Sequence, residues 1–126
     1  MPAVLKIDPE LKIVISTFRG EVTDDDVVRH SAAIVGDPAF DPEFSEIVDF
    51  SGVTRLAVSE GMLAGMAGSQ SIFSRASMHV VVAPADLAFG LARRYQALAA
   101  RTRPNFVVVR TLAEGFTALG IQPKST

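Results

Sequence analysis

The sequence contains no cysteine and no tryptophan, a single tyrosine and only two histidines, His30 and His79. Without cysteine there is no disulfide framework, no thiolate metal site and no cysteine nucleophile. A membrane-length hydrophobic run is missing as well. The uncharged stretch from Gly61 to Phe73 is interrupted by three glycines, and it is too short and too polar to span a bilayer. The first eight residues carry Lys6 and Asp8 and have no apolar core, so they do not read as a signal peptide, and a cytoplasmic location is expected.

Catalytic signatures are equally scarce. There is no Gly-x-Ser-x-Gly, no phosphate loop and no Gly-x-Gly-x-x-Gly. His30 and His79 have no companion at metal-ligand spacing. Asp24, Asp25 and Asp26 are consecutive residues of an expected helix and so point in different directions. No metal or cofactor is therefore expected. Asp49 is the best single catalytic candidate, because it ends a strand at the face where α/β proteins bind ligands. It has no companion base or nucleophile, and capping the turn at Ser51-Gly52 is its competing role. The chain reads as a non-enzyme.

What the chain does have is a core. With 126 residues, 48% of them hydrophobic and 21% charged, it is long and apolar enough to fold as one domain without staples. That domain is expected over residues 1–121, with a loose tail from 122 to 126. The net charge of −2 conceals an asymmetry. Residues 1–63 hold twelve acidic and five basic side chains, whereas residues 64–126 hold two and seven. Arg93, Arg94, Arg101, Arg103 and Arg110 gather late, but their helical angles scatter and the chain is acidic overall, which argues against a nucleic-acid surface. The expected result is an acidic side and a basic side, suited to steering a partner or to head-to-tail contact.

The apolar pattern alternates between strands and helices. Val4–Ile7 and Leu11–Phe18 read as an antiparallel hairpin around Asp8-Pro9-Glu10. Gly20-Glu-Val-Thr reads as the opening of a helix, with Thr23 as N-cap, the three aspartates in its first turn and Gly36 as its stop. Val27, Val28, Ser31, Ile34 and Val35 form its expected inner face. Glu46–Phe50 reads as a buried strand. A second helix is expected from about Ser59 to Phe73, a strand over Met78–Ala83, and a long helix capped by Asp86 and running to Arg101. The inner face of that long helix is expected to be Leu87, Leu91, Tyr95 and Leu98. Asn105–Arg110 reads as a last strand, and Thr111 with Glu114 makes a capping box for a short final helix ending at Gly120. An antiparallel hairpin, a helix and three strand–helix units give an α/β protein with a mixed, largely parallel five-stranded sheet.

The segment Val48-Asp-Phe-Ser-Gly-Val-Thr-Arg-Leu-Ala-Val-Ser-Glu-Gly-Met-Leu resembles the strand–loop–helix centre of STAS (anti-sigma-factor antagonist) domains. Phe18-Arg-Gly-Glu-Val-Thr, Asp37-Pro-Ala-Phe-Asp-Pro-Glu-Phe, Val82-Ala-Pro-Ala-Asp-Leu-Ala-Phe-Gly-Leu-Ala-Arg and Thr111-Leu-Ala-Glu-Gly-Phe extend the resemblance to the SpoIIAA-like family of small bacterial proteins. It covers nearly the whole chain, and it implies a strand–helix superhelix with a STAS-like regulatory or interaction role. In STAS regulators the second serine of an Asp-Ser-Ser-Gly stretch is phosphorylated, and here that position falls on Ser59. Ala57 and Val58 replace the Asp-Ser and Glu60 replaces the Gly, so simple helix capping is the competing role of Ser59.

The second helix carries Gly61, Gly65 and Gly68 along one stripe. Each glycine costs about 1 kcal/mol relative to alanine, which points to close approach by the sheet, a partner helix or an apolar ligand. Met62 and Met66 lie beside that stripe, and methionine adapts to varied surfaces. On the long helix Phe89 is expected to project outward beside Ala92, Gln96 and Ala100, as an interaction residue. The function expected is a protein-interaction module that binds a protein partner or self-associates. The alternative is a small apolar-ligand or lipid-binding protein whose pocket lies beneath the glycine-rich helix.

Overall fold

The computed structural model describes residues 3–122. Asp8 closes the first hairpin, its Oδ1 accepting from the backbone amides of Glu10 at 3.0 Å and Leu11 at 3.1 Å. Lys12 adopts a positive φ of 55° to complete the reversal. This hairpin joins β1 (Ala3–Asp8) to β2 (Ile13–Thr23) in antiparallel register, with Ala3 opposite Phe18. The chain continues through α1 (Asp24–Gly36), β3 (Ser45–Ala57), α2 (Glu60–Gly68), β4 (His79–Val82), α3 (Asp86–Leu98), β5 (Phe106–Val109) and α4 (Leu112–Ala118).

The five strands lie in the order β1-β2-β3-β4-β5, and all pairs after the first are parallel. Stepping in one direction across a parallel sheet with right-handed crossovers sends each crossover helix to the same face. Accordingly Ile34 of α1, Leu63 of α2 and Ala92 of α3 border the face that carries Val14, Ser16, Val48 and Val81. Among the described residues only α4 covers the opposite face, where Phe116 packs on Ile13, Ile47, Val80 and Val82. Gly115 is what lets α4 approach: a Cβ there would stand 2.6 Å from Ile47 Cδ1. Among the described residues no helix is long and apolar enough to cross a membrane.

Several local expectations need correction. Residues 19–23, expected to lead into the helix, and residues 51–57, expected to open with a turn at Ser51-Gly52, continue β2 and β3 as a two-stranded parallel ribbon beyond the reach of β4. The ribbon passes a register shift between Thr17 and Arg19, where Gly52 faces Arg19 closely enough that a Cβ would meet its Cγ at 3.1 Å. Asp49 supports this shift, its Oδ1 accepting from Ser51 N at 2.9 Å and Ser51 Oγ at 2.6 Å. Gly20, with φ of 67°, takes up a second irregularity.

α2 ends at Gly68 rather than near Phe73, because the Ser69 hydroxyl folds back to donate to the Gly65 carbonyl. Phe73 then drops into the core against Phe40 and His79. α3 begins at Asp86 with Ala85 at the N-cap and no side-chain cap, and Asp86 pairs instead with Arg110. The inner face of α3 is also rotated from the leucine stripe. Leu87 is 92% exposed and Leu98 47% exposed, while Ala88, Ala92 and Ala99 are buried. Val28 and Val35 of α1 are likewise exposed, and Ile34 is the buried residue of that helix. Of the expected C-terminal tail only Gln122 is among the described residues.

Candidate functional site

The long β2–β3 ribbon determines where the second helix starts. Thr23 pairs with Ala57 in the last register of the ribbon, so the N-termini of α1 and α2 emerge side by side. Thr23 caps α1 through a reciprocal box with Asp26, whose carboxylate accepts from both the backbone amide and the hydroxyl of Thr23. Those bonds, the amide first, hold the Asp26 carboxyl below its usual range. Ser59 caps α2, its Oγ accepting from Met62 N at 3.1 Å. The same hydroxyl donates to Asp24 Oδ2 at 2.7 Å, and the Ser59 amide donates to Asp24 Oδ1 at 2.8 Å. Donation by the hydroxyl, then by the amide, lowers the Asp24 pKa. Ser59 is thus both the cap of α2 and its clamp to α1.

The rest of α2 is held at its far end. Thr102 Oγ1 donates to the Ala67 carbonyl at 2.7 Å, and Arg103 Nη1 donates to the carbonyls of Met66 and Ser69 at 3.0 and 3.2 Å. Met66 O also accepts from the C-cap Ser69 amide at 3.2 Å, so Arg103 adds a second donor at the helix end, where carbonyls run short of intrahelical partners. Alongside, Arg94 reaches Glu60 at 2.7 Å. Between its two ends α2 buries only Leu63 and Ala67. Gly61, Gly65 and Gly68 are exposed: a Cβ would meet nothing within 4 Å at Gly65 or Gly68, and at Gly61 only Ser59 Oγ at 3.9 Å. Approach by the underlying sheet is therefore not what requires these glycines.

Met62 and Met66 are half-buried and line a surface groove with Gly65, Ile72 and Arg103. Sharing Ser31, Met66, Ile72 and Arg103 with that groove, a cavity of about 200 Å³ extends between α2 and the sheet. Its walls are mainly apolar and aromatic, with Phe18, Phe50, Leu63, Phe73 and Phe106 among them.

The floor of this cavity holds a polar cluster that the sequence reading missed. Val14, Glu46, His79 and Phe106 are in register across four strands. Glu46 Oε1 lies 2.8 Å from Nδ1 of the buried His79. One row further along, the buried Ser16 has its Oγ 2.6 Å from His30 Nε2. Burial pushes the His30 imidazole below its ordinary pKa, and the Glu46 charge pulls it partly back. Burial also raises the Tyr95 phenol, against a lowering by Arg103. His30 turns inward from α1 onto Phe18 and the strand face. The available signal was a Ser, a Glu and a His at inward positions of otherwise apolar strands. Glu46 and His79 meet between strands, and Ser16 meets His30 between strand and helix, where sequence spacing reports neither contact.

Phe89, expected to project outward, is half-buried against Val81 and Ala83, and the Arg110 guanidinium covers its ring at 3.8 Å. Ala92, expected beside it, is buried. Asp49 is occupied within its own strand irregularity. Among the described residues no three His, Asp or Glu side chains gather as a metal-binding group.

A one-sheet α/β protein with three helices on one face and a capped helix start beside an apolar cavity is the class that this geometry defines. Among solved structures the chain is similar to an uncharacterized protein of the DUF3478 family with a SpoIIAA-like fold from Shewanella loihica PV-4. The TM-score is 0.58 at 14% identity, over 93% of each chain. No protein-family model and no curated protein matches the sequence. At this identity the likeness speaks for the fold: the chain has the SpoIIAA-like fold that its sequence resemblance implied.

Proposed function

We propose that the protein is a non-enzymatic, STAS-like interaction module whose docking face is the start and outer side of α2, formed by Ser59, Gly61, Met62, Gly65 and Met66. The observation that carries this reading is the glycine stripe facing open space, since the fold itself makes no use of a missing Cβ at Gly65 or Gly68. Small residues let a second backbone approach a helix closely. The charges suggest which partner. Asp24, Asp25, Asp26 and Glu60 stand at the start of α2, whereas Arg101 and Arg103 stand at its end, the latter bonded to its last carbonyls. A second copy laid antiparallel across α2 sets acid against base twice, as a two-fold interface requires. Such a module would act in the cytoplasm.

Ser59 would be the control point of this face. A phosphoryl group on its Oγ would have to expel the Asp24 carboxylate, 2.7 Å away, and would stand beside Glu60. The expected consequence is release of α2 from α1 and loss of docking. Concentration-dependent amide shifts in ¹⁵N NMR test the proposal. Shifts confined to Ser59–Gly68 and the facing Arg94 and Arg103 support it, and an unchanged spectrum over that segment contradicts it.

A second reading, favoured by the cavity, is binding of a small apolar ligand beneath α2. At about 200 Å³ the space exceeds the roughly 150 Å³ that accepts a benzene, but falls short of the roughly 300 Å³ at which drug-sized pockets begin. The volume favours a compact molecule over a lipid.

A further inference from the structure

We propose that the cavity beneath α2 is a site for a compact, apolar molecule bearing one hydrogen-bond donor and no negative charge, with the donor directed at Glu46. This rests on the second reading above, that the cavity takes a ligand at all, and adds the chemistry by which it selects one. The apolar walls set the body of the ligand. The polar wall sets its single polar group. Ser16 Oγ and His30 Nε2 face one another at 2.6 Å and are engaged with each other. Arg103 Nη1 is engaged by the carbonyls of Met66 and Ser69 at the mouth.

Glu46 is different. Its Oε1 is taken by His79, but among the described residues no hydrogen bond reaches its Oε2. The Tyr95 hydroxyl, on the same cavity wall, is likewise without a partner among the described residues. Among the described residues no buried side-chain polar atom lacks a hydrogen bond, so both oxygens are accessible rather than sealed in the core. A carboxylate only accepts, and it repels an anionic head, so the ligand must present a donor and carry no negative charge. The phenol of Tyr95 can accept from or donate to the same group.

The chain reports on its own cavity. Tyr95 is its only tyrosine and tryptophan is absent, so emission excited in the tyrosine band, beyond phenylalanine absorption, arises from this wall alone. The probes are cyclohexanol, methoxycyclohexane, which keeps the body and oxygen but loses the donor, and cyclohexanecarboxylate, which adds a negative charge. Each is titrated against Tyr95 emission, with ¹⁵N NMR as an independent readout. Saturable binding of cyclohexanol is expected, with methoxycyclohexane and the carboxylate each about tenfold weaker, the loss of one hydrogen bond to a charged acceptor. Glu46→Gln should narrow that gap while leaving His79 a partner. Ala92→Leu, which extends into the cavity, should abolish binding of every probe, and Val48→Leu serves the same purpose where Ala92→Leu fails to fold. If no probe binds, the cavity reading itself is wrong. Equal binding of cyclohexanol and its methyl ether, or tighter binding of the carboxylate, overturns the donor-to-Glu46 assignment alone.

Discussion

Ser59 and His30 show how differently two single residues can be read. The cap at Ser59 is local chemistry: a serine before an apolar helix serves the free amides whatever the fold. Its bond to Asp24 is not local, since 35 residues separate the two and only the β2–β3 register brings them together. Ser59→Ala is expected to cost about 1 kcal/mol, the worth of an N-cap. The Asp24→Asn variant should lose much of the same stabilisation, because its amide cannot accept from both Ser59 donors as a carboxylate does. Urea denaturation of each single variant and of the double checks this, with less than additive losses expected for a shared contact.

His30 yields a pH dependence. Its folded pKa is depressed below the ordinary value of about 6.5, mainly by burial. The unfolded chain therefore binds more protons than the fold in the window just below that value, and stability rises with pH there. Stability should be flat above about pH 7 and decline as pH falls through 6.5. His30→Gln should flatten that decline in urea midpoints measured between pH 5 and 8, and an unchanged slope would refute the assignment. Asp24 and Asp26, held low by their hydrogen bonds, act in a separate window, where stability is lost as pH falls below the ordinary aspartate range.

At the scale of elements, periodicity identified all four helices but did not fix which way each one faces. On α3 the set Leu87, Leu91 and Leu98 and the set Ala88, Ala92 and Ala99 share one period and differ by one residue of rotation. Hydrophobicity favours the leucines. The space beside Val81 and Ala83 favours the alanines, and space decides because interiors are close-packed. The leucine face instead leaves Leu91 and Tyr95 bordering the cavity. Glycines separate in the same way. Gly65→Ala places its Cβ in open space and should stabilise the free monomer by up to about 1 kcal/mol, the helix-propensity difference. Gly115→Ala gains the same propensity but drives its Cβ to 2.6 Å from the fully buried Ile47, and should be net destabilising by about 1–2 kcal/mol through overpacking. Thermal unfolding of the two variants at low protein concentration should move the midpoint in opposite directions.

For the whole molecule, the fold was legible because its logic is simple. Continuous valine runs read as parallel strands, the Asp-Pro-Glu turn read as a hairpin, and right-handed crossovers then leave little choice. What was hidden is the β2–β3 ribbon, because Gly20 and Gly52 carry turn chemistry while serving as strand irregularities. That ribbon sets both the start of α2 and the roof of the cavity, so the site was less legible than the fold. The charge asymmetry between the two halves of the sequence survives folding. Among the described residues only Glu60–Arg94 and Glu46–His79 pair an acid of the first half with a base of the second. Glu60 is paired with Arg94, whereas Asp25 beside the start of α2 and Arg101 beyond its end have no ion pair among the described residues.

Native mass spectrometry of the wild type beside Gly65→Leu tests docking through α2 most directly, since the Cβ of the new side chain starts in open space. The wild type is expected as a dimer and Gly65→Leu as a monomer. A wild-type monomer, or a dimer that survives Gly65→Leu, would contradict docking through α2.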